Sequence, residues 1–187
     1  HFPDALISID TFRSEVAEAA IRSGAKIVND ISGGMLDPKM VDFITANQVP
    51  YIAMHMRGNP KNMLKMTKYT HIISEILFYF SQLIERLKDK GHSDLIIDPG
   101  FGFAKTTEQN FEILSNLELF KNLESIILVG LSRKSMIYKT LKTDASEALN
   151  GTTVLNTLAL TKGADILRVH DVRPAVEAIK LTIKTLT

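Results

Sequence analysis

Three polar side chains with acceptor atoms stand directly after short apolar runs of the sequence. They are Asp10, Asn29 and Asp98, and each run before them is typical of a β-strand. If the strands are parallel, their ends meet at one rim of the sheet, so we expect the three side chains to lie together and deep in it. One carboxylate can accept two parallel hydrogen bonds from adjacent N–H donors. The trio therefore suits a planar heterocycle with an amidine or 2-aminopyrimidinone edge.

A cationic set follows the last two apolar runs and is expected at the same rim. It consists of Lys134, Arg168 and His170. An arginine side chain can bind phosphate oxygens with two parallel hydrogen bonds. Lys134 precedes a helical pattern, and the first backbone N–H groups of a helix favour anions. The set therefore predicts a site for phosphate or pyrophosphate.

Each of these residues also has a structural interpretation. Asp10 and Asp98 could cap helices, and Asn29 could tie a loop together. Arg168 could pair with an acid of a neighbouring strand. His55, which stands between two methionines, is more typical of a buried structural histidine. A polar group after each of six strands favours one functional rim over separate structural roles.

The chain alternates six apolar runs with helical patterns. Because the runs are apolar on both faces, they predict a parallel sheet that is covered on both sides. Regular alternation without a GxGxxG motif favours a TIM (β/α)8 barrel. We expect one barrel domain over residues 1–187 that contains strands three to eight of the barrel and lacks the first two βα units. The predicted strands are 5–9, 26–28, 49–54, 95–97, 126–129 and 166–169.

Local sequence signals predict two helix starts and one buried helix face. Thr106 and Gln109 have the spacing of a capping box. Asp37 precedes a proline, which is typical of an N-cap followed by the first helical residue. The residues of the last helix that we expect to face inward are Val176, Ile179 and Ile183.

The overall composition is that of an ordinary globular domain. The 187 residues carry a net charge of +1, which gives no electrostatic footprint for nucleic acid or a membrane surface. The sequence has no cysteine, which excludes disulfides, cysteine–zinc sites and thiol catalysis. It has no apolar run long enough to span a bilayer. We therefore expect a cytoplasmic protein that acts on small molecules.

Six short motifs occur in order along the chain. The stretches Asp-Pro-Gly-Phe-Gly-Phe-Ala-Lys at 98–105 and Ser-Arg-Lys-Ser at 132–135 are together quite specific, and the other four lie at 8–11, 29–31, 54–60 and 168–171. In these motifs the sequence resembles the dihydropteroate synthase family over essentially its whole length. The resemblance implies a TIM-barrel transferase of folate synthesis, usually a homodimer and a sulfonamide target. It would join 6-hydroxymethyl-7,8-dihydropterin pyrophosphate to p-aminobenzoate, giving 7,8-dihydropteroate and pyrophosphate.

The resemblance also implies roles for single residues. It implies a pterin subsite formed by Asp10, Asn29, Met54, Asp98, Phe103, Gly130 and Lys134. It implies a pyrophosphate subsite formed by Asn29, Arg168 and His170, and a p-aminobenzoate subsite bordered by Ser132 and Lys134. The implied catalytic residues are Asp98, Lys134, Arg168 and His170. No residue is expected to abstract a proton, because the aniline nitrogen of p-aminobenzoate is already a nucleophile.

The family further implies Mg²⁺, whose ligand is an asparagine on the first barrel strand. That motif has no counterpart in this sequence, so we expect no metal ligand in this chain. Two alternatives remain: a pterin-dependent methyltransferase domain that would bind methyltetrahydrofolate, and a non-catalytic paralogue that would bind pterin without turnover. Lys134, Arg168 and His170 argue against both, because neither needs to hold pyrophosphate.

Overall fold

Six parallel strands form one sheet in the computed structural model, which describes residues 4–186. The strand order follows the chain, and the register places Asp10 beside Asn29 and Met54 beside Asp98. The polar residues that end the strands therefore align at one rim, and the predicted parallel sheet is confirmed. Residues 1–3 and 187 of the predicted domain lie outside the described residues. The strands are β1 (Ser8–Asp10), β2 (Ile27–Asp30), β3 (Tyr51–Met54), β4 (Leu95–Asp98), β5 (Ile126–Val129) and β6 (Ile166–Leu167).

The sheet is curled into half of a barrel. Neighbouring strands lie about 4.8 Å apart, so a flat sheet of six would separate its two edge strands by about 24 Å. Yet Nη2 of Arg168, directly after β6, lies 2.5 Å from Oδ2 of Asp10 at the end of β1. The predicted α/β architecture is confirmed to this extent. The two further βα units of a complete barrel stay a prediction.

Helices lie between successive strands and cover the outer face of the sheet. Tyr51, Ala53 and Ile97 belong to the large core shared with the helices, whereas Ile52 and Ile96 belong to a small separate cluster. This alternation is expected because successive strand residues point to opposite faces. Among the described residues, no helix combines the length and apolar character needed to cross a membrane. The helices are α1 (Ser14–Arg22), α2 (Lys39–Asn47), α3 (Ile72–Asp89), α4 (Thr107–Ser115), α5 (Ser135–Leu141), α6 (Leu149–Thr161) and α7 (Val172–Leu186).

The two predicted helix starts both use the expected side chains. Thr106 Oγ1 accepts the Gln109 N–H at 3.2 Å, and Gln109 Oε1 accepts the Thr106 N–H at 2.8 Å, so the capping box is confirmed. Asp37 accepts the Lys39 N–H at 3.0 Å, although α2 begins one residue later than predicted. The same carboxylate also accepts the N–H and the hydroxyl of Ser14, both at 2.7 Å. Asp37 therefore satisfies the starts of two helices.

The predicted inward face of α7 is wrong in two of its three residues. Val176 and Ile183 are 40% and 54% exposed, and Ile179 is partly buried. α7 packs against α6. Small side chains on the buried face of α7 allow the two helices to pack closely. The larger apolar residues Val176 and Ile183 lie on the outer side of α7. The buried residues of α7 are Ala175, Ala178 and Thr182.

Candidate functional site

A cleft of about 190 Å³ opens at the carboxyl ends of the strands. Eleven residues line it, and ten of them are the site residues that the sequence predicts. The structure therefore brings all of the predicted residues together, and it adds one apolar side chain. The lining residues are Asp10, Asn29, Ile31, Met54, Asp98, Phe103, Gly130, Ser132, Lys134, Arg168 and His170.

Asp98 ends β4 and is the deepest acid of the cleft. It is 7% exposed, and its Oδ1 accepts the Gly100 N–H at 2.8 Å. Burial raises the pKa of this carboxyl, while the Lys134 ammonium and the Gly100 N–H oppose that rise. Within the part of the chain that the structure describes, this is the one hydrogen bond that the side chain accepts. The carboxylate therefore retains acceptor capacity for a ligand.

Asn29 and Asp10 are the other two acceptor residues of the cleft, and they contact each other. Asn29 is 8% exposed, and its Nδ2 donates to Oδ1 of Asp10. The Asp10 side chain, however, is 58% exposed. The expectation that all three acceptors lie deep is therefore wrong for Asp10, because β1 is an edge strand of the described sheet. Its other oxygen pairs with Arg168, so the ion-pair interpretation of Arg168 holds here with the first strand, not a neighbouring one.

A tight loop after β4 carries one wall of the cleft. Gly100 has φ +75°, and a Cβ added there would lie 2.1 Å from the His55 carbonyl oxygen, so only glycine fits. The loop buries Phe101 completely and places Phe103 at the cleft. Lys134 Nζ donates to the Phe101 carbonyl and lies 4.9 Å from the centre of the Phe103 ring. This lysine therefore joins the loops that follow β4 and β5.

Lys134 is partly buried in this position. Burial lowers the pKa of its ammonium, the nearby Asp98 carboxylate raises it, and Arg168 lowers it further. A Cβ added to Gly130 would lie 4.0 Å from both Lys134 Nζ and the Arg168 Cβ. These distances are ordinary van der Waals contacts, so the position lies directly beside both side chains without requiring glycine.

The loops after β5 and β6 are fastened to each other. Ser132 Oγ accepts the His170 N–H at 3.2 Å and lies 2.9 Å from His170 Nδ1. Arg133, which has φ +53°, donates from Nε and Nη2 to both oxygens of Asp171 at 2.8 and 3.0 Å. This bidentate contact lowers the pKa of the Asp171 carboxyl. Sequence reasoning missed Arg133, although it stands between two predicted site residues.

A second missed residue is Lys105, which lies behind the cleft and does not line it. It is 7% exposed, and its Nζ contacts the His55 side chain and three backbone carbonyls. His55 is 4% exposed, and burial together with Lys105 and Arg57 lowers its pKa to about 2. The interpretation of His55 as a structural histidine therefore agrees with its position. A lysine between a glycine-rich loop and a helix cap was the available sequence signal for Lys105.

Arg57 lies outside the cleft and anchors the loop after β3. Its guanidinium lies 3.8 Å from the centre of the Tyr69 ring and donates to Glu75 and to the Lys68 carbonyl. The Arg57 hydrogen bond contributes to a lowered pKa of the Glu75 carboxyl, after those of the His71 and Thr70 N–H groups. These contacts give Arg57 a structural role.

A curled parallel sheet with a polar cleft at the carboxyl ends of its strands defines an α/β protein of the TIM-barrel class, in which active sites lie at that rim. Residues 1–170 match the model of the family described as pterin binding enzyme. The chain belongs to this family of pterin-binding enzymes.

Within the family, the chain is similar to dihydropteroate synthases. It is 42% identical over 181 residues to the dihydropteroate synthase of Synechocystis, which covers 95% of this chain and 63% of that relative. The chain thus spans less than two thirds of that relative's length. The solved Yersinia pestis dihydropteroate synthase with a sulfonamide drug complex has a TM-score of 0.93 and 34% identity, covering 97% of this chain and 67% of that one. The Xanthomonas albilineans dihydropteroate synthase with 4-aminobenzoic acid has a TM-score of 0.90 and 31% identity, covering 97% and 65%.

Proposed function

We propose that this chain carries the substrate site of a dihydropteroate synthase. The reaction would condense 6-hydroxymethyl-7,8-dihydropterin pyrophosphate with p-aminobenzoate and release 7,8-dihydropteroate and pyrophosphate. The observation that carries the proposal is a single cleft that holds buried acceptors together with three cationic side chains. Relatives solved with a sulfonamide and with 4-aminobenzoic acid support the same substrate class.

The pterin would bind at the inner side of the cleft. Asp98 and Asn29 are the buried acceptors there, and they suit the N–H donors along one edge of a pterin. Lys134 lies beside this place and would contact the ring, with Phe103 as a wall. Met54 and Gly130 would complete the walls, and Asp10 would add an acceptor from the outer side.

The pyrophosphate would bind at the outer side of the cleft. Arg168 and His170 follow β6 there, and Asn29 is nearby. Arg168 is paired with Asp10, so a bound pyrophosphate would compete with Asp10 for the guanidinium. The p-aminobenzoate would lie next to both groups, bordered by Ser132 and Lys134.

In this arrangement the aniline nitrogen attacks the methylene carbon of the pterin as the bond from that carbon to pyrophosphate breaks. Arg168 and His170 would stabilise the negative charge that develops on the departing pyrophosphate. Asp98 would stabilise positive character in the pterin by its carboxylate charge. The proton that the nitrogen loses goes to solvent or to the released pyrophosphate. No side chain of this chain is therefore assigned as a base.

Mg²⁺ is part of the proposal as a partner of the pyrophosphate, on the strength of the resemblance alone. Among the described residues, no group of three or more His, Asp or Glu side chains could hold a metal ion. This absence concerns only a site made of protein side chains, since Mg²⁺ is usually bound by one or two carboxylates together with substrate phosphates. The roles assigned to this chain rest on its own side chains.

A homodimer, again from the resemblance, and a cytoplasmic location, from the composition, are the remaining parts of the proposal. Sedimentation equilibrium of the protein would test the homodimer directly, because a dimer has twice the mass of the chain. A single species at the monomer mass over the micromolar range would contradict it.

Calorimetric titration with a pterin pyrophosphate analogue tests the substrate assignment. The unmodified protein is expected to bind it, and Asp98→Asn is expected to bind at least a hundredfold more weakly, because an amide cannot accept two parallel N–H donors. Glu124→Gln is the matched control, because Glu124 lies before β5 at the amino-terminal end of the strands. It should bind the analogue normally. Tighter binding of methyltetrahydrofolate than of the pterin pyrophosphate analogue would favour the methyltransferase alternative. Binding without product formation would favour the non-catalytic one.

A further inference from the structure

Lys105 makes an unusual set of contacts for a lysine. Its Nζ lies 3.0 Å from the Gly100 and Phe103 carbonyl oxygens, 3.3 Å from the His55 carbonyl oxygen and 3.1 Å from His55 Nδ1. All four partners are uncharged groups, and the residue is 7% exposed. Burying an ammonium is costly, so such a site persists only where hydrogen bonds compensate the charge. The four contacts therefore fix the position of the Lys105 side chain and of the groups around it.

The four partners belong to two segments that must be held together. Gly100 and Phe103 lie in the loop after β4, and His55 directly follows β3. Lys105 thus fixes the loop both to itself and to the end of the neighbouring strand. The loop has φ values of +75° at Gly100 and +51° at Ala104, a backbone shape that needs such support.

The supported loop is the one that presents the inner side of the cleft. Asp98 precedes it and Phe103 ends it, and both line the cleft. Lys134 contacts the loop from the cleft side through the Phe101 carbonyl, whereas Lys105 contacts it from behind. A buried lysine and a partly buried lysine therefore hold opposite sides of one short segment.

Lys105 also acts on Asp98 through its charge. Burial raises the pKa of the Asp98 carboxyl, and the Lys105 ammonium is one of the groups that lower it. A carboxylate must be ionised to accept two N–H donors. Where Lys105 is protonated, it therefore favours the form of Asp98 that a heterocycle edge requires.

We propose that Lys105 is a positioning residue for the heterocycle subsite, one that holds the 99–104 loop in its binding shape by its contacts with Gly100, Phe103 and His55. The inference rests on the proposed function, in that the heterocycle is taken to be a pterin. Lys105 does not line the cleft, so it acts through the loop and not by contact with the ligand.

The first test concerns the loop alone and needs no ligand. Lys105→Met removes the donors and keeps the length of the side chain, which leaves buried carbonyls unpaired. Hydrogen–deuterium exchange of segment 99–104 is expected to become at least tenfold faster. Lys105→Gln, which keeps two N–H donors, should give an intermediate rate and provides a second variant if Lys105→Met does not fold.

Leu117→Ala is the matched control, because Leu117 is fully buried in a 3-10 helix that precedes β5 and so lies away from the cleft. Its exchange in segment 99–104 should stay within twofold of the unmodified protein at a comparable loss of melting temperature. Equal acceleration in the control, or no acceleration in either Lys105 variant, would overturn the proposal.

The second test separates positioning from general loosening. Lys105→Met is expected to weaken binding of a 6-hydroxymethylpterin probe at least tenfold and to leave binding of inorganic pyrophosphate within twofold. An equal loss for both probes would overturn the proposal. If the unmodified protein binds no pterin at all, the proposed function fails, and the exchange experiment still decides whether Lys105 positions the loop.

Discussion

The two sides of the cleft use the same residue types in very different surroundings. On the inner side, Asn29 and Asp98 are 8% and 7% exposed. The adjacent loop is held by the buried Lys105 and the partly buried Lys134. On the outer side, the Asp10 and Arg168 side chains are 58% and 59% exposed and pair with each other. An ion pair exposed to this degree contributes little to stability, whereas leaving a buried charge without a partner is costly. Burial, not residue type, decides what each charged group contributes.

This difference matches the two parts of the proposed substrate. A rigid heterocycle benefits from a preorganised site, because little ordering remains to be done when it binds. A leaving group must first bind and then depart, which a cation at the exposed edge of the described sheet would allow. The predictions below test the contrast between a fixed inner side and an adjustable outer side.

The largest effect is expected from the pH dependence of stability. Burial, with smaller effects of Lys134 and Arg57, lowers the pKa of Lys105 from 10.5 to about 7. Between these two pH values the unfolded chain binds the proton that the folded chain has released, so stability rises with pH. At about 1.4 kcal/mol per pKa unit, the rise is on the order of 5 kcal/mol at most. Urea denaturation at pH 7 to 10 measures it.

The control is the same measurement on Lys105→Met, which cannot release that proton. Subtracting its free energy of unfolding at each pH isolates the contribution of Lys105. Burial raises the pKa of Tyr69 to about 12 and raises those of Tyr51 and Tyr79 as well, so these residues lower stability above about pH 10 in both proteins. Burial lowers the pKa of Lys134, which makes stability rise with pH in both the unmodified protein and the variant. Parallel pH curves for the protein and the variant would contradict the assignment to Lys105.

The next effect concerns Lys134, which joins two loops on the inner side. Lys134→Met removes the hydrogen bond to Phe101 and the charge beside Asp98. We expect pterin binding to weaken by about 2 kcal/mol, or roughly thirtyfold, in line with the loss of a hydrogen bond to a charged group. Fluorescence titration with 6-hydroxymethylpterin measures it. Lys139→Met, on the helix that follows, is the control with a comparable change in charge.

A smaller effect is expected from Arg168→Gln on the outer side. Affinity for inorganic pyrophosphate should fall by about tenfold, or 1.4 kcal/mol, because a bidentate cation is lost. The free energy of unfolding should change by less than about 1 kcal/mol, because the pair with Asp10 is exposed. Calorimetry and urea denaturation measure the two quantities. A large loss of stability would mean that the outer side is structural and not adjustable.

The sequence predicts best where the signal is local. The capping box can be predicted from Thr106 and Gln109 alone, and the turn after β4 can be predicted from its own glycines. The convergence of the polar site residues also follows from local signals, because parallel strands that end in polar residues must share a rim, whereas Met54, Phe103 and Gly130 were expected there only from the resemblance. These parts of the fold and the site were therefore predictable.

What the sequence did not predict depends on how the elements pack. The exposure of Asp10 follows from the edge position of β1, and the outward face of α7 follows from close packing on α6. Lys105 is surrounded by carbonyls only because the end of β3 lies beside the loop after β4. No spacing within the chain encodes these relations, so they require the three-dimensional structure.

The smallest effect is expected from Asp10→Asn, and its sign is informative. If Asp10 competes with pyrophosphate for Arg168, the amide should free the guanidinium and raise pyrophosphate affinity by about twofold. Pterin affinity should fall by less than about fivefold, because exposed hydrogen bonds contribute about 1 kcal/mol or less. The gain should shrink between 50 and 500 mM salt, since screening weakens the competing pair as well. Calorimetry at both salt concentrations measures the change. A loss of pyrophosphate affinity would instead mean that Asp10 orients Arg168 for the anion, and the outer side would then be as preorganised as the inner one.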